Sequence, residues 1–351
     1  MSDIFFSREQ LLEISFLLLK AGGLPEEQAE QISNDLVQAD LRGLSSHGIS
    51  RIPMYLNRIK KKVVNVNPKI KISHSGLSVV NVDGDDGMGF VVAHKAVEEG
   101  IAAAAKTGIS IVGIHRSTHF GMSALYVNQA IDSGFNCLVW TNSSPALPAW
   151  GGKTTFLGAA PFAAGMVGGY ESPPYILDMA MTVIARGKIR VAMTNGEKIQ
   201  LGLALNKEGE PTTNAKEAFE GVCLPFGGIK GSALAMLMDL MAGLYTGANF
   251  GGEVKSLYYD HSEPQNVGHI FFFMKPDLFI PMETYKERMD VFYKRLKALP
   301  CAKGVEEIMM PGEPERRITE QRILNGIPIS QQIFDDILAA AKEYSVELPK
   351  F

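Results

Sequence analysis

Three stretches of this sequence set reactive side chains at spacings that could do chemistry. The first is Asp40-Leu41-Arg42-Gly43-Leu44-Ser45-Ser46-His47-Gly48-Ile49-Ser50-Arg51, with Tyr55 beyond it. Reducing a 2-keto acid needs a proton donor beside the forming alkoxide and a cation for the carboxylate. His47 can be the donor, because imidazole titrates near neutrality. Arg51 can be the cation, because its planar fork takes both carboxylate oxygens. His47, Arg51 and Tyr55 follow one another at four-residue steps, so a helix over 47–60 would align them on one face. The plain alternative is a helix start capped by Ser45 or Ser46, with an ordinary surface histidine and arginine.

The second stretch is His115-Arg116-Ser117-Thr118-His119-Phe120-Gly121, directly after the apolar run 109–114. Polar groups at the end of a strand are well placed to face a ligand. His115 and His119 are four apart, but the segment reads as loop and lacks the glutamate of a zinc protease, so no metal site is expected. The third is Leu224-Pro225-Phe226-Gly227-Gly228-Ile229-Lys230-Gly231-Ser232. Its glycines permit close backbone approach, Lys230 offers a point charge, and a helix N-terminus there would favour an anion. It is not a P-loop, and a plain helix-start loop accounts for it equally well. No Gly-x-Ser-x-Gly elbow occurs, which speaks against a serine hydrolase.

Val79-Val80-Asn81-Val82-Asp83-Gly84-Asp85-Asp86-Gly87-Met88-Gly89 imitates a dinucleotide fingerprint: a strand running through glycines into a helix. The third glycine fails, since position 92 is Val92, and Asp85 and Asp86 would repel a pyrophosphate. A turn that aims the helix is the reading adopted.

The elements that must position these groups follow from periodicity. Ser7 and Gln10 form a capping-box pattern ahead of the apolar face Leu11, Leu12, Ile14, Leu18 and Leu19, and Gly22-Gly23 stops that helix. Pro25 occupies a favoured first helical position, followed by Ala29, Ile32, Leu36 and Ala39. Strands are expected over 70–73, 77–82, 109–114, 136–141, 175–179 and 268–274, and helices over 91–106, 123–133, 232–245 and 282–296. A last helix follows Ser330 through Ile333, Ile337 and Leu338. The alternation of strand and helix between 77 and 141 suggests a sheet with packed helices. Between 143 and 169, Pro145, Pro148 and Pro161 with many glycines mark a loop-rich stretch of the sort that carries function.

With 351 residues, 46% hydrophobic and 21% charged, the chain can bury a sizeable core. A net charge of −4 speaks against nucleic acid or an anionic membrane as partner. The cluster Arg58-Ile59-Lys60-Lys61-Lys62 reads as a solvated helix end. Cys137, Cys223 and Cys301 form neither a disulfide framework nor a CxxC site, which fits a reducing cytosol. Met1-Ser2-Asp3-Ile4 does not open a signal peptide, and runs such as 270–274 are too short for a membrane span, so a cytoplasmic protein is expected.

Segments 40–51, 113–121, 141–152, 177–182 with Gly187-Lys188, 224–234 and Met310-Pro311-Gly312-Glu313 together resemble the type 2 malate/L-lactate dehydrogenase family, in the family's order and across almost the whole chain. That family also takes in ureidoglycolate, sulfolactate and diketogulonate enzymes and cyclic imino-acid reductases. The resemblance implies an α/β (α+β), non-Rossmann fold. A helical part built from residues 1–70 and 310–351 would pack on a mixed-sheet cofactor part over 71–309. It implies a homodimer using NAD or NADP. The reaction would be hydride transfer between the nicotinamide and C2 of a small 2-hydroxy or 2-keto carboxylate.

On the same ground His47 and His119 are both acid/base candidates, and Ser46, Arg51, Tyr55 and Ser143 lie on the substrate side. Asp178, Met179, Ala180, Lys230, Gly231, Gly312 and Glu313 match cofactor contacts. There are departures. Gly158-Ala159-Ala160-Pro161 stands where many relatives have Gly-Thr-Asn-Pro. Lys230-Gly231-Ser232-Ala233 resembles the imino-acid and diketogulonate branches, whereas Leu257-Tyr258-Tyr259-Asp260 with Asn266-Val267-Gly268-His269 resembles the malate branch. The alternatives are therefore a cyclic imino-acid or diketogulonate reductase and, in another class, a non-catalytic ligand-binding homologue.

Overall fold

The structure is a computed structural model that describes residues 3–349, so positions 1–2 and 350–351 of the expected helical part lie outside it. A seven-stranded mixed sheet forms its centre, in the order Lys71–Gly76, Val79–Asp83, Ile109–Ser117, Val267–Met274, Asn136–Thr141, Phe162–Met166, Tyr175–Met179. Val79–Asp83 and Ile109–Ser117 pair in parallel, joined by the helix Gly89–Thr107. The other neighbours are antiparallel. The expected alternation is present with one change: Val267–Met274 wedges between Ile109–Ser117 and Asn136–Thr141 and pairs with both. Strands this far apart in sequence leave no local trace of their pairing. The fold is the expected α/β one with a mixed, non-Rossmann sheet.

Alternate residues of the central strand serve two cores. Phe271 and Phe273 join Val112, Ile114 and Val139 under the helices Gly89–Thr107 and Ala124–Asp132. Ile270 and Phe272 join Trp140, Leu147 and Met181 on the other face. A strand covered on both sides must be apolar throughout, which is why the run 270–274 shows no alternation.

The two chain ends meet. Asp3–Phe6 pairs antiparallel with Ile327–Ser330, and the first core includes Leu11, Ile14, Ile32, Leu36 and Ile337 from the terminal helices. The Ser7 capping box forms, with Gln10 N–H donating to Ser7 Oγ at 3.2 Å and Ser7 N–H to Gln10 Oε1 at 2.7 Å. Pro25 sits one residue ahead of its expected place, as the residue before the helix Glu26–Leu41.

The helix expected over 47–60 is broken. Ser45–His47 and Ile49–Arg51 are separate 3-10 turns, Gly48 between them is extended, and the α-helix covers only Ile52–Lys60. Two causes are visible. In a continuous helix the ring of Pro53 would clash with the carbonyl of Ile49. The buried carboxylate of Asp40 also reaches in to accept the Ile49 N–H at 2.8 Å, and a Cβ on Gly48 would stand 2.0 Å from its Oδ1. The helix expected over 232–245 also differs: it starts at Ile229, ends at Asp239 and runs into a π-helical turn, Leu240–Leu244.

Candidate active site

The broken segment brings its reactive groups together by a route other than one helical face. His47 ends its 3-10 turn with Nδ1 3.0 Å from Ser46 Oγ. Arg51 donates from Nε to the Ser46 carbonyl, and its guanidinium carbon lies 5.5 Å from the centre of the Tyr258 ring. Tyr55, one turn into the α-helix, is 2% exposed.

His119 comes from the loop after Ile109–Ser117. That loop is braced by the stretch that imitates a dinucleotide fingerprint. Thr118 Oγ1 accepts from Gly89 N–H at 2.9 Å and donates to the Gly87 carbonyl at 3.0 Å. A Cβ on Gly89 would stand 2.2 Å from the Thr118 carbonyl, so glycine is required by the neighbouring backbone. Arg116 pairs with Asp83, Asp85 and Asp86, which occupies those carboxylates. The decoy is a buttress.

The two segments meet ring to ring. His47 and His119 stack with centroids 5.7 Å apart and planes at 17°. The Tyr55 hydroxyl lies 2.8 Å from His119 Nδ1, and Gly121 N–H donates to the same nitrogen at 3.3 Å. A nitrogen that accepts a backbone N–H carries no proton, so the neutral His119 ring holds its proton on Nε2. Burial, reinforced by the Arg51 charge, pushes His47 down to about 4 and His119 well below its ordinary value. Both imidazoles are neutral at pH 7.

Beneath them lies His269, which the sequence reading placed only within a branch motif. It is fully buried, its ring stacked on Phe120 at 4.5 Å and 3°. Thr141 Oγ1 donates to main-chain carbonyls and so accepts from His269 Nδ1–H at 2.6 Å; Ser117 Oγ stands 2.8 Å from Nε2. Burial pushes this imidazole down to about 3. A lone histidine in an apolar strand gives no sequence signal of such a role. Asp40, similarly, is pushed up to about 7 by burial while it anchors the Gly48 bend.

A second group of expected residues gathers elsewhere. Ser143 Oγ accepts from Ala159 N–H at 3.1 Å, and the Ala159 carbonyl accepts from Met181 N–H at 2.8 Å. These bonds tie Ser143 to the end of the Asp178, Met179, Ala180 segment. Ala160 beside them holds φ at +42°, a left-handed conformation that the asparagine of many relatives tolerates better than alanine. Asp178 accepts from Ala124 N–H at 2.8 Å, and burial pushes its carboxyl up to about 6 against the opposing Arg42 charge.

Arg42 and Gly312, with Gln38, Ile176 and Arg316, line a cavity of about 190 Å³. Gly312 takes φ +97° at the start of the helix Glu313–Asn325. Glu313 turns inward: its carboxylate is 2% exposed and held by Met310 N–H, the Tyr293 hydroxyl and Lys297. Lys230 stands exposed on the first turn of Ile229–Asp239, while Gly231 is buried where a Cβ would stand 2.0 Å from the Phe226 carbonyl.

A dinucleotide offers phosphate charge and flat rings. The Arg42 Nε is buried without a partner, and Arg42 lines the same cavity as Gly312, whose missing side chain keeps the backbone close against Ile176, so a phosphate fits this part of the second group.

Residues 6–338 match the protein family described as malate/L-lactate dehydrogenase. The chain is 34% identical over 346 residues to the malate/(S)-sulfolactate dehydrogenase of Methanothermus fervidus, covering 98% of this chain and 99% of that one. It is 31% identical over 336 residues to a ureidoglycolate dehydrogenase (NAD(+)) of Escherichia coli, covering 95% of each. Among solved structures it is similar to the sulfolactate dehydrogenase from Methanocaldococcus jannaschii, with a TM-score of 0.92, 34% identity and 98% of each chain covered.

Proposed function

The chain belongs to the malate/L-lactate dehydrogenase family, and from that membership we propose that it moves a hydride reversibly between nicotinamide C4 and C2 of a small 2-hydroxy/2-keto carboxylate of the malate or sulfolactate kind. It is an oxidoreductase acting on CH–OH groups with NAD or NADP. The observation that carries the substrate reading is the convergence of Arg51, Tyr55, His47 and His119 from two distant segments on one small volume.

The hydrogen bonds support the following division of roles. Arg51 has its Nε spent on the Ser46 carbonyl and one face on Tyr258, which leaves its terminal nitrogens to clamp the substrate carboxylate. His119, with Nδ1 occupied, offers Nε2–H to the C2 oxygen and polarises it. His47 is assigned the proton exchange: with Nδ1 turned to Ser46 Oγ at 3.0 Å, its Nε2 is the nitrogen left to face the substrate as a base. When bound, the nicotinamide supplies or receives the hydride. In oxidation the C2 hydroxyl gives its proton to His47 Nε2. In reduction the His47 imidazolium returns that proton to the C2 alkoxide. A bound carboxylate offsets the Arg51 charge and so makes His47 more basic than in the free protein.

Asp178, Met179, Ala180, Lys230, Gly231, Gly312 and Glu313 would hold the cofactor, with Ser143 between it and the substrate. Since the Glu313 side chain is occupied internally, that segment would contribute main-chain groups. We also place the protein in the cytoplasm as a homodimer, with residues 1–70 and 310–351 as the helical part on an α/β part over 71–309. Support for the dimer is the exposed apolar face Leu234, Leu237, Leu240, Leu244 and Tyr245. Support for the compartment is that Cys137, Cys223 and Cys301 are free thiols.

The test is loss of NADH or NADPH absorbance with oxaloacetate, 3-sulfopyruvate, pyruvate, diketogulonate and piperideine-2-carboxylate in turn. Turnover led by oxaloacetate or 3-sulfopyruvate is expected. Turnover of the cyclic imine alone would move the protein to the imino-acid branch. Cofactor binding without turnover of any of them would make it a ligand-binding homologue.

A further inference from the structure

Arg42 follows directly on the helix Glu26–Leu41 and is 8% exposed, yet among the described residues its side chain makes no hydrogen bond and no ion pair. Its Nε is shut off from solvent, but its terminal nitrogens are not: Arg42 lines a cavity of about 190 Å³ together with Arg316. The carboxylates whose charges bear on Arg42 are Glu315 and Asp178, and Asp178 is already taken up by Ala124 N–H at 2.8 Å. Arg316 is half exposed and has the Glu313 carboxylate 3.9 Å away. That carboxylate accepts from Met310 N–H, the Tyr293 hydroxyl and Lys297. Two cations thus border one cavity with donors unspent, and burying a guanidinium without a counter-ion is costly.

The rest of the cavity narrows the choice of anion. Pro173, Pro174 and Ile176 give it apolar walls, and no carboxylate lines it. Ile176 N–H donates to the Pro311 carbonyl at 3.0 Å, which draws the Gly312 backbone against the strand. Ile176 and Asp178 share one face of the strand Tyr175–Met179. Asp178 in turn bonds the first residue of the helix that follows the His119 loop. The cavity therefore lies next along the strand from the residues proposed to hold the cofactor, while the nicotinamide belongs with His47 and His119. Apolar walls at this place suit the other base, adenine. A site for NAD sets a carboxylate on the adenosine ribose 2′-hydroxyl, and a site for NADP sets an arginine by its 2′-phosphate. Here there are two arginines and no carboxylate.

We propose that Arg42 and Arg316 clamp the 2′-phosphate of NADP and so make this chain select NADP(H) over NAD(H). This rests on the dehydrogenase reading above and decides which of its two cofactors the site takes. Both residues are specificity-determining; neither touches the reacting atoms. Arg42 supplies a buried planar fork, and Arg316 adds a second charge for a group that carries up to two. NAD brings a neutral hydroxyl to the same place and leaves the buried fork unpaired, which penalises it.

The experiment measures dissociation constants for NADPH and NADH by titrating nicotinamide fluorescence, without substrate, in wild type, Arg316→Gln, Arg42→Lys and Arg42→Gln. Wild type should bind NADPH about tenfold or more tightly than NADH. Arg316→Gln, at a half-exposed position, should cut that preference several-fold, and Arg42→Lys, which keeps the charge and loses the fork, should do the same. Arg42→Gln should abolish it, as removal of one member of a buried charge pair does. In each variant the loss should fall on NADPH. Adenosine 2′,5′-bisphosphate should displace NADPH from wild type at concentrations where adenosine 5′-monophosphate does not. Should Arg42→Gln fail to fold, as its melting curve shows, the other two variants and the wild-type ratio carry the test.

A wild type that binds the two nucleotides within twofold of each other, or prefers NADH, overturns the proposal, as does an unchanged preference in the folded variants. Equal loosening of NADPH and NADH would place the arginines on the pyrophosphate that both share, and also overturns it. A wild type that binds neither nucleotide would instead bring down the dehydrogenase reading and this one with it.

Discussion

The Tyr55 hydroxyl and His119 Nδ1, 64 positions apart in sequence, lie 2.8 Å from one another. That contact joins the helix Ile52–Lys60 to the loop after Ile109–Ser117. Together with the Gly121 N–H it decides where the His119 proton resides. Two donors on Nδ1 leave Nε2–H as the only arrangement of the neutral ring.

Removing one of those donors gives the first prediction. In Tyr55→Phe the imidazole keeps only the longer Gly121 bond of 3.3 Å. The ring should lose its fixed aim, and kcat should fall about tenfold with little change in KM, because the hydroxyl acts through His119 rather than on the substrate. Steady-state kinetics with oxaloacetate decides it; a kcat within twofold of wild type would show that the contact does not orient the ring.

The proposed division of labour between the histidines is open to a pH test. His47 in the free protein titrates at about 4, and kcat/KM reports free-enzyme groups. Oxidation of the hydroxy acid needs neutral His47, so its kcat/KM should be flat between about pH 6 and 8. Reduction needs the imidazolium, so its kcat/KM should fall about tenfold per pH unit over the same range. Such behaviour is consistent with the proton consumed in the overall reaction. His47→Ala should lose about 10²–10⁴-fold in turnover together with that slope, and His119→Gln should lose turnover while keeping it. A steep oxidation limb beside a flat reduction limb would put the responsible group above pH 8 and exclude His47.

Much of the site was legible because it is carried by local segments. Ser46, His47 and Arg51 lie within six residues of one another, and His119 follows a strand whose apolar pattern is plain. The manner of their convergence was not legible. A continuous helix over 47–60 is the natural reading of four-residue spacing, and only the carboxylate of Asp40 and the ring of Pro53 show why it breaks. Phe162–Met166, the sequence Phe-Ala-Ala-Gly-Met, looks like loop because its small residues mark close packing; a Cβ on Gly165 would stand 2.5 Å from Val127 Cγ1. The place of Val267–Met274 at the sheet's centre depends on pairing across more than a hundred residues, which no local pattern encodes. Arg58 reads as part of a solvated basic cluster, yet it is among the most buried side chains of the fold.

Arg51→Lys should act on binding rather than chemistry. Lysine keeps a charge but supplies neither the fork nor the flat face set against Tyr258. KM for the keto acid should rise about tenfold or more, with kcat and the dissociation constant for NAD(P)H nearly unchanged. An unaltered KM would remove Arg51 from the carboxylate site.

The last prediction concerns stability and turns on opposing signs. His269 has its folded-state value pushed down to about 3 from an ordinary 6.5. The unfolded chain therefore binds a proton as pH falls through about 6.5 while the native protein does not, and the stability present above that pH is lost progressively toward 3. His47 and His119 act in the same direction. Asp40 and Asp178 act in the other: their values are raised to about 7 and about 6, so the native protein binds protons first and gains stability as pH falls through that range. The melting temperature of wild type between pH 7 and pH 5 reports only the balance, but a difference between two proteins isolates one group. In His269→Gln the amide can still bond Ser117 and Thr141, and no proton is taken up on unfolding. Its loss of unfolding free energy from pH 7 to pH 5 should be smaller than that of wild type by ~2 kcal/mol. Urea titrations at the two pH values supply the comparison, and parallel pH dependences in the two proteins would mean that His269 is not held neutral by the fold.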